Sequence, residues 1–347
     1  MSIEKADRNK DLVQRVIGVA GALAVIVLLL LVPSFTSQYI VFNVGSAVCS
    51  VVLALSFNII FGYGGVVSFG HASLFAVGGY VAGISLNNGH GFWFAMIAAG
   101  IAGVVVGAGF ALVALRASGI YFAIITLAMG QIVFIVAQQW NEVTGGISGL
   151  SGIDVTSINL GVTTLELPNA DAYYRVVVVV GALFLGAMWL LSRTRFTRLL
   201  RATRDDDVRV AALGLNVYRW RFVAFVWSAL FAALAGGLYA PLGGLVYPEL
   251  GRWDASAEPI LATLLGGSGS FWGPVVGAVM FALIDFFTRD LNSLRVIITG
   301  VILLLVLLVA PGGLTGLRDR FRRSSRAAGV PGRDDTKTTA DVGGTDV

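Results

Sequence analysis

The chain has 347 residues, of which 56% are hydrophobic and only 13% are charged. A soluble domain carries about a quarter charged residues, whereas Val16 to Leu115 contains no Asp, Glu, Lys or Arg at all. A run of that length is excluded as one soluble core and has room for about four membrane helices of roughly 20 residues each. The sequence therefore predicts an all-α polytopic membrane protein.

The basic and reactive residues exclude several other classes of protein. Arginines flank the apolar segments, as topology signals do, so the predicted partner is the lipid bilayer and no nucleic acid. Cys49 is the single cysteine, which rules out an intrachain disulfide and a cysteine-based metal site, and we interpret it as a packing residue. No GxxxxGK[ST], HExxH or CxxC motif occurs, and no lysine lies between Lys10 and Lys337. We therefore expect a chain that is not an enzyme and has no ATPase site, metal site or bound cofactor.

Charge-free runs, divided by charged residues, prolines and glycines, predict about ten transmembrane helices. The charged N-terminus, 1–15, precedes an apolar run without a small-residue cleavage site, so the first span is expected to be retained. In an eight-span alternative, two short segments between 259 and 284 are re-entrant, and the sidedness of the loops is unchanged. The predicted spans are 16–32, 39–61, 71–87, 92–114, 119–139, 175–193, 222 to about 240, the two short segments split at GGSGSFWGP, and 296–311.

The loop charges predict the orientation of the chain in the membrane. Segment 140–174 carries four acidic residues and no Lys or Arg, whereas segment 193–221 carries eight Arg against three Asp. Positively charged loops stay in the cytoplasm. We therefore expect a cytoplasmic N-terminus (1–15), a permease domain over 16–317 with an external loop at 140–174 and a cytoplasmic loop at 193–221, and a disordered cytoplasmic tail at 318–347.

The cytoplasmic loop is predicted to contain a short amphipathic helix from Asp205 to Leu213. Three aspartates in its first turn suit the positive end of the helix dipole, Thr203 is a candidate N-cap, and Gly214 suits the left-handed position after the last turn. Such a helix fits a docking element for a partner protein. The alternative is a solvated loop whose charges serve topology alone.

A glycine-rich stretch, FGYGGVVSFGHASLFAVGGY (61–80), interrupts the apolar region and contains one of the two histidines. Glycine allows close helix packing and non-helical backbone at membrane depth, provided that protein or a water-filled path covers the backbone. With Asn58, Ser68 and His71 nearby, the stretch fits a broken helix beside a translocation path. The alternative is a tight turn between packed helices, with His71 hydrogen-bonded to the backbone.

Two further features carry hypotheses. GGVVSF (64–69) is echoed by GGSGSF (266–271), and both preceding spans run from outside to inside, which predicts a parallel internal repeat; chance similarity is the alternative. Asp285 is a carboxylate within apolar sequence, and intramembrane carboxylates are functional candidates. An interfacial ion pair with Arg289 explains it equally well.

Five motifs follow one another in order across about residues 40–317. They are NIIFGYGGVVSFGHASLFAVGGY (58–80), TGGISGL (144–150), RATRDDDVRVAALGLNVYRWRFVAF (201–225), LLGGSGSFWGPVVGA (264–278) and PGGLTGL (311–317). Together they resemble the motifs of branched-chain amino-acid ABC transporter permeases of the LivH/LivM type. The charged coupling segment, the TGG motif and the length favour the LivM-like branch.

The resemblance implies one multi-pass subunit of an ATP-driven importer in a prokaryotic plasma (inner) membrane. A second homologous permease, two cytoplasmic ATPase subunits that use ATP and Mg, and an external solute-binding protein are the implied partners. Family members that carry urea, amides or other amino acids are alternatives. An ion-coupled secondary transporter using Asp285 or His71, and a membrane enzyme, are the rivals outside the family. Two departures from the family pattern are Val66, where Gln is frequent, and Arg209 and Val210, where small residues are common.

The expected site residues fall into three groups. The translocation path is assigned Asn58, Gly62, Tyr63, Gly64, Gly65, Ser68, Gly70 and His71. Coupling to the ATPase is assigned Arg204, Asp205, Asp206, Asp207, Val208, Arg209, Ala212, Leu213 and Gly214. Contact with the binding protein is assigned Thr144, Gly145, Gly146, Ser148, Gly149 and Leu150.

Overall fold

Helices form most of the regular structure in the computed structural model, which describes residues 21–159, 164–167, 169–288 and 300–301. A π-helical turn, Ile59–Tyr63, extends the second helix, and 3-10 turns occur at Val32–Ser34, Gly146–Ser148 and Pro248–Gly251. The helices are α1 (described from residue 21 to 31), α2 (Gln38–Asn58), α3 (His71–Asn87), α4 (Phe92–Ala114), α5 (Ile120–Gln139), α6 (Asn141–Thr144), α7 (Ala170–Ser192), α8 (Arg195–Asp205), α9 (Asp207–Ala212), α10 (Val217–Gly243), α11 (Ala257–Gly266) and α12 (Trp272–Thr288).

Five helical segments within the described residues are long and apolar enough to cross a membrane. Three shorter apolar helices are Gly21–Ser34, Ala257–Gly266 and Trp272–Thr288. The expectation of a predominantly helical, membrane-spanning chain is confirmed, whereas the ten-span count and the internal repeat remain predictions. The five long segments are Gln38–Tyr63, Phe92–Ala114, Ile120–Gln139, Ala170–Ser192 and Val217–Gly243.

Parts of the chain that carried predictions lie outside the described residues. They are residues 1–15, Arg289, most of the predicted last span (296–311), the PGGLTGL motif and the tail, 318–347.

Helix boundaries follow the charge-free runs closely where glycine and charge mark the ends. The predicted spans 71–87 and 92–114 coincide with α3 and α4. The break expected near 240 is displaced, because α10 continues through Pro241 and ends at Gly243, where Gly244 takes a positive φ of 63°. The glycines before Pro241 are packing positions, since a Cβ on Gly236 would collide with the Phe75 carbonyl of α3.

Small residues bring α3, α4 and α10 into close contact at the centre of the chain. A Cβ on Gly78 of α3 would overlap the Ala233 backbone of α10, and one on Gly103 of α4 would overlap the Ala233 side chain. Helices approach this closely in membranes only through small residues. Helix α10 is therefore the central element against which α3 and α4 pack.

Short strands tie the loops together at one end of the bundle. Strand β1 (Leu150–Ser151) pairs antiparallel with β4 (Leu245–Val246). A second antiparallel pair joins β2 (Ser157–Asn159) to β3 (Thr164–Glu166). Asn87, at the end of α3, donates through Nδ2 to the carbonyl of Ser151 over 3.1 Å. We call this end the 140–169 face, and the end that carries α8 and α9 the 193–221 face.

Candidate functional site

The glycine stretch is a broken connection between α2 and α3. Helix α2 widens into the π-helical turn, and regular helix resumes only at His71. A Cβ on Gly62 would collide with the Asn58 side chain and lie 2.5 Å from the carbonyl oxygen of Ser268. Gly65 has a φ of 73°, which favours glycine. Glycine is thus required because the turn packs against both its own helix and the second glycine loop.

The polar side chains of this stretch lie inside the chain. Asn58, Ser68 and His71 are fully buried, and Tyr63 is 3% exposed; of the residues assigned to the path, only Gly65 is exposed. Nε2 of His71 lies 2.9 Å from Oγ of Ser56, so the histidine pairs with a hydroxyl and not with the backbone. Four buried polar atoms of the stretch have no hydrogen-bond partner among the described residues: Asn58 Oδ1, Tyr63 OH, Ser68 Oγ and His71 Nδ1.

The glycine stretch and the charged loop, predicted as separate sites, are in contact. Nη1 of Arg204 donates to the carbonyl oxygen of Gly62 over 2.5 Å, and the Arg201 guanidinium carbon lies 4.6 Å from the ring centroid of Tyr63. A cation suits the carbonyl end of a helix, where backbone acceptors lack partners. A Cβ on Gly65 would lie 2.9 Å from Cγ of Arg204, so glycine permits this approach. The π-helical turn therefore ends at the 193–221 face.

The charged loop contains the predicted short helix, which runs from Asp207 to Ala212 and not from Asp205 to Leu213, and a second helix, α8, that was not predicted. Helix α8 ends at Asp205, and Asp206 adopts an extended conformation before α9. Oδ1 of Asp206 accepts a hydrogen bond from Arg209 N over 2.9 Å, so Asp206 is the N-cap. Thr203 is not the cap because it lies within α8, where its hydroxyl donates to Leu200 O. The prediction for Gly214 is confirmed by its φ of 81°.

Helix α9 is anchored on one side and exposed on the other. Val210 is buried, whereas Val208 is 76% and Leu213 75% exposed. Arg221 of α10 contacts Asp207, with 3.6 Å between Nη1 and Oδ2, and donates through Nη2 to Thr203 O over 3.1 Å. The surface thus offers two apolar side chains, one on the tethered helix and one directly after its last residue. The residues assigned to coupling are exposed apart from Asp206, which is half-buried.

The TGG motif builds a turn at the 140–169 face. The hydroxyl of Thr144 is 2.6 Å from Ala137 O and 2.8 Å from Trp140 O. Gly145, Gly146 and Gly149 all have positive φ. Thr144 and Gly146 are buried, so these two assigned contact residues shape the turn. Gly149 is half-buried, as is Leu150, which lies in β1 beside the exposed Ser148.

A third region of interest, the connection from Leu245 to Ser256, was not predicted from the sequence. It leaves the 140–169 face at β4 and folds back along α3, where the backbone N–H of Ala72 donates to Oγ of Ser256 over 3.0 Å. It contains a short strand and the 3-10 turn Pro248–Gly251 but no α-helix. Helix α11 follows, and Asn58 Nδ2 then donates to Ser270 O over 3.3 Å.

The connection carries an exposed ion pair. Nε and Nη2 of Arg252 lie 2.6 and 2.5 Å from the two carboxylate oxygens of Asp254. Their side chains are 47% and 43% exposed, and Trp253 between them is 52% exposed. The signal for this region was the cluster of charges in PELGRWDASAEP (248–259), which the span prediction used only as a boundary.

Comparison with known proteins identifies the family. Residues 39–309 match the family model described as the branched-chain amino acid transport system / permease component. The chain belongs to this family. It is 30% identical over 285 residues to the high-affinity branched-chain amino acid transport system permease protein LivM of Salmonella typhimurium, covering 76% of this chain and 67% of the relative. No solved structure matches the chain.

Other permeases of the family are similar over the same share of the chain. The probable branched-chain amino acid transport permease protein LivM of Methanocaldococcus jannaschii is 27% identical over 312 residues, covering 76% of this chain and 89% of the relative. The LivH permease protein of Escherichia coli K12 is 27% identical over 282 residues, covering 76% and 90%. These similarities confirm the predicted resemblance to branched-chain amino-acid permeases.

Proposed function

We propose that this chain is one membrane subunit of an ATP-driven importer of branched-chain amino acids. The amino-acid class is supported by the names of the LivM and LivH relatives, which are permease components of branched-chain transport systems. In this proposal the chain works by alternating access between outward- and inward-facing states. The alternative substrates are urea, amides or other amino acids, which permeases of the same family carry.

The proposed assembly contains a second homologous permease, two cytoplasmic ATPase subunits and an external binding protein. This chain binds no cofactor, and ATP and Mg are used by the ATPase subunits. The chain lies in a prokaryotic plasma membrane with both termini in the cytoplasm, so the 193–221 face meets the ATPases and the 140–169 face meets the binding protein. The loop charges support this orientation.

The observation that carries the proposal is the tethered helix α9. Val208 in the short, capped helix and Leu213 directly after it are exposed, which is a surface suited to a groove in a partner. Arg204, on the adjoining helix α8, is bonded to the carbonyl of Gly62 at the end of the π-helical turn. Movement of α9 by a closing ATPase pair would thus reach the membrane part of the chain through α8.

Uptake of radiolabelled L-leucine tests the proposal in cells with and without the gene for this chain. Excess unlabelled isoleucine, valine, alanine, urea or acetamide is added in parallel. We expect deletion to abolish the uptake, and isoleucine and valine alone to compete with it. Loss of urea or amide uptake in place of leucine uptake would reject the branched-chain substrate and keep the family role. Unchanged uptake of every solute, in a strain without redundant systems, would reject transport.

A further inference from the structure

The connection from Leu245 to Ser256 reaches the middle of the membrane. Gly251 packs on α3, because a Cβ added to it would lie 3.4 Å from Cα of Ser73. Oγ of Ser73 is itself 3.4 Å from the Cβ position of Gly130. Gly130 is the eleventh of the 20 residues of α5, which is long enough to span the bilayer. Gly251 is therefore level with the centre of a spanning helix.

The Arg252–Asp254 pair lies within three residues of that level and is open on the surface of the chain. Charged side chains at the bilayer centre are costly in contact with lipid, and they face a water-filled cavity or a protein partner instead. Nearly half of each side chain, 47% for Arg252 and 43% for Asp254, stays exposed in the described chain. The surface around residues 252–254 is therefore not a lipid-facing surface.

The backbone of the connection leads to the same conclusion. Lipid-exposed backbone must be helical, since the hydrocarbon offers no hydrogen-bond partners, and irregular backbone at membrane depth lines cavities or is buried in protein. The connection from Leu245 to Ser256 has no α-helix, and α11 beyond it has only ten residues. Interrupted crossings of this kind form substrate sites near the midplane of other transporters.

We propose that Arg252 and Asp254 line the translocation path and bind the two charged groups of an α-amino acid in transit. The planar guanidinium of Arg252 suits a carboxylate, to which it donates two parallel hydrogen bonds. The carboxylate of Asp254 accepts from an ammonium group. In the present structure the two side chains are hydrogen-bonded to each other. A zwitterionic amino acid carries the same pair of charges and would replace these bonds with its own. The inference rests on the proposed function, because the path and its amino-acid cargo come from there.

Exposed Trp253 lies between the two charged residues in sequence. An indole ring provides apolar surface with a single polar N–H. A site with one positive charge, one negative charge and an aromatic surface fits an amino acid whose own side chain is apolar. An anionic side chain would lack a second cationic partner at this site, because the other charge that acts on Arg252 is the carboxylate of Glu249.

Thiol accessibility tests whether this surface faces water. The complete importer is reconstituted in lipid vesicles with Trp253→Cys in a Cys49→Ala background, and a charged, membrane-impermeant thiosulfonate is added. The matched control is Ile132→Cys, which is two residues after Gly130 in α5 and 61% exposed. We expect Trp253→Cys to react at least about tenfold faster, because thiolates form in water and not in lipid. L-leucine, with binding protein and ATP present, should slow the reaction.

Three results of the labelling experiment would overturn the proposal. Equal, slow reaction of Trp253→Cys and Ile132→Cys would place the connection against lipid. Reaction in the isolated permease but not in the complete importer would make the surface a subunit contact. Fast reaction that L-leucine does not slow would leave a water-filled cavity without the amino-acid site.

Charge removal tests the binding role directly. Arg252→Gln and Asp254→Asn should each lower L-leucine uptake by about tenfold, the order expected for a lost hydrogen bond to a charged group. Arg175→Gln, an exposed charge of α7 that lies outside the 140–169 and 193–221 faces, is the control and should keep wild-type uptake. Wild-type uptake in both charge variants would overturn the site. If vesicles that contain the wild-type importer show no ATP-dependent uptake, the proposed function is rejected instead. The labelling rates would still report on the site.

Discussion

The glycine stretch at 61–70 and the connection at 245–256 both interrupt helical structure beside α3, yet their surroundings are opposite. The first is neutral, and its polar side chains are buried inside the chain. The second carries Arg252 and Asp254 on an open surface, and we propose that this surface lies at membrane depth. In the first region, glycines and polar residues in an apolar sequence therefore mark close packing between backbone segments. Under our proposal, charges that remain exposed at that depth are the better indication of a path.

Adding a Cβ to one glycine in each of the two regions should have the largest effect on stability, and the two effects should be the most unequal. Gly62→Ala should destabilise the chain by about 2–3 kcal/mol, because the methyl group collides with Asn58 and the Ser268 backbone. Gly251→Ala should cost about 1 kcal/mol or less, since its nearest atom is Cβ of Ala76 at 3.0 Å. Thermal unfolding of the purified variants in detergent measures both, and equal losses would contradict the difference in packing.

The exposed apolar side chains of Val208, in α9, and Leu213, directly after it, are expected to have the next largest effect. Val208→Asp combined with Leu213→Asp should abolish co-purification of the ATPase subunits, because it places charges in an apolar contact. The variant should fold, since both side chains are about three-quarters exposed. Ile147→Asp, exposed at the opposite face, is the control and should leave ATPase binding intact. Retained ATPase binding in the double variant would remove α9 from the docking surface.

The hydrogen bond from Arg204 to Gly62 should be needed for transport but not for assembly. Arg204→Met keeps the aliphatic stem beside Gly65 and removes the bond, so L-leucine uptake should fall by about tenfold while the ATPase still co-purifies. Arg204→Lys should recover part of the uptake. Arg198→Met, an exposed arginine of the same helix, is the control. Unchanged uptake with Arg204→Met would favour a self-sufficient secondary transporter, which needs no such link.

The smallest effect is expected for the stability of the exposed ion pair. Asp254→Asn should change the free energy of unfolding by no more than about 1 kcal/mol, because exposed pairs contribute little. Thermal unfolding of the variant measures this change beside its uptake. A large loss of stability would mean that Arg252 and Asp254 hold the fold together rather than meeting a solute.

The sequence predicted much of the fold because a helix that crosses lipid must be apolar and free of charge over its length. The predicted spans 71–87 and 92–114 are two parts of one charge-free run and became helices with those bounds, since glycines and the charge of Arg116 mark their ends. The cap of α9 was missed because Thr203 and Asp206 are both good N-caps, and the choice depends on where α8 ends. Helix periodicity in so charged a loop could not locate that end.

The candidate sites were less accessible to sequence reasoning because burial depends on tertiary contacts. Asn58 and His71 are predicted path residues, and only the packing of α2, α3 and α11 shows that their side chains are buried. Their place on a path stays a prediction. The charges of residues 248–259 looked like a loop between spans, and only the contacts that join Gly251 to Ser73 and Ser73 to Gly130 show that Gly251 is level with the middle of α5. Long-range contacts of this kind leave no local pattern.

The energy source of uptake tests the central claim most directly. Vesicles containing the complete importer are loaded with ATP and Mg, treated with ionophores that collapse every ion gradient, and supplied with binding protein and labelled L-leucine. We predict uptake that depends on the ATP and persists without gradients. Uptake that requires a proton or sodium gradient and ignores ATP would contradict the account and make the chain an ion-coupled transporter.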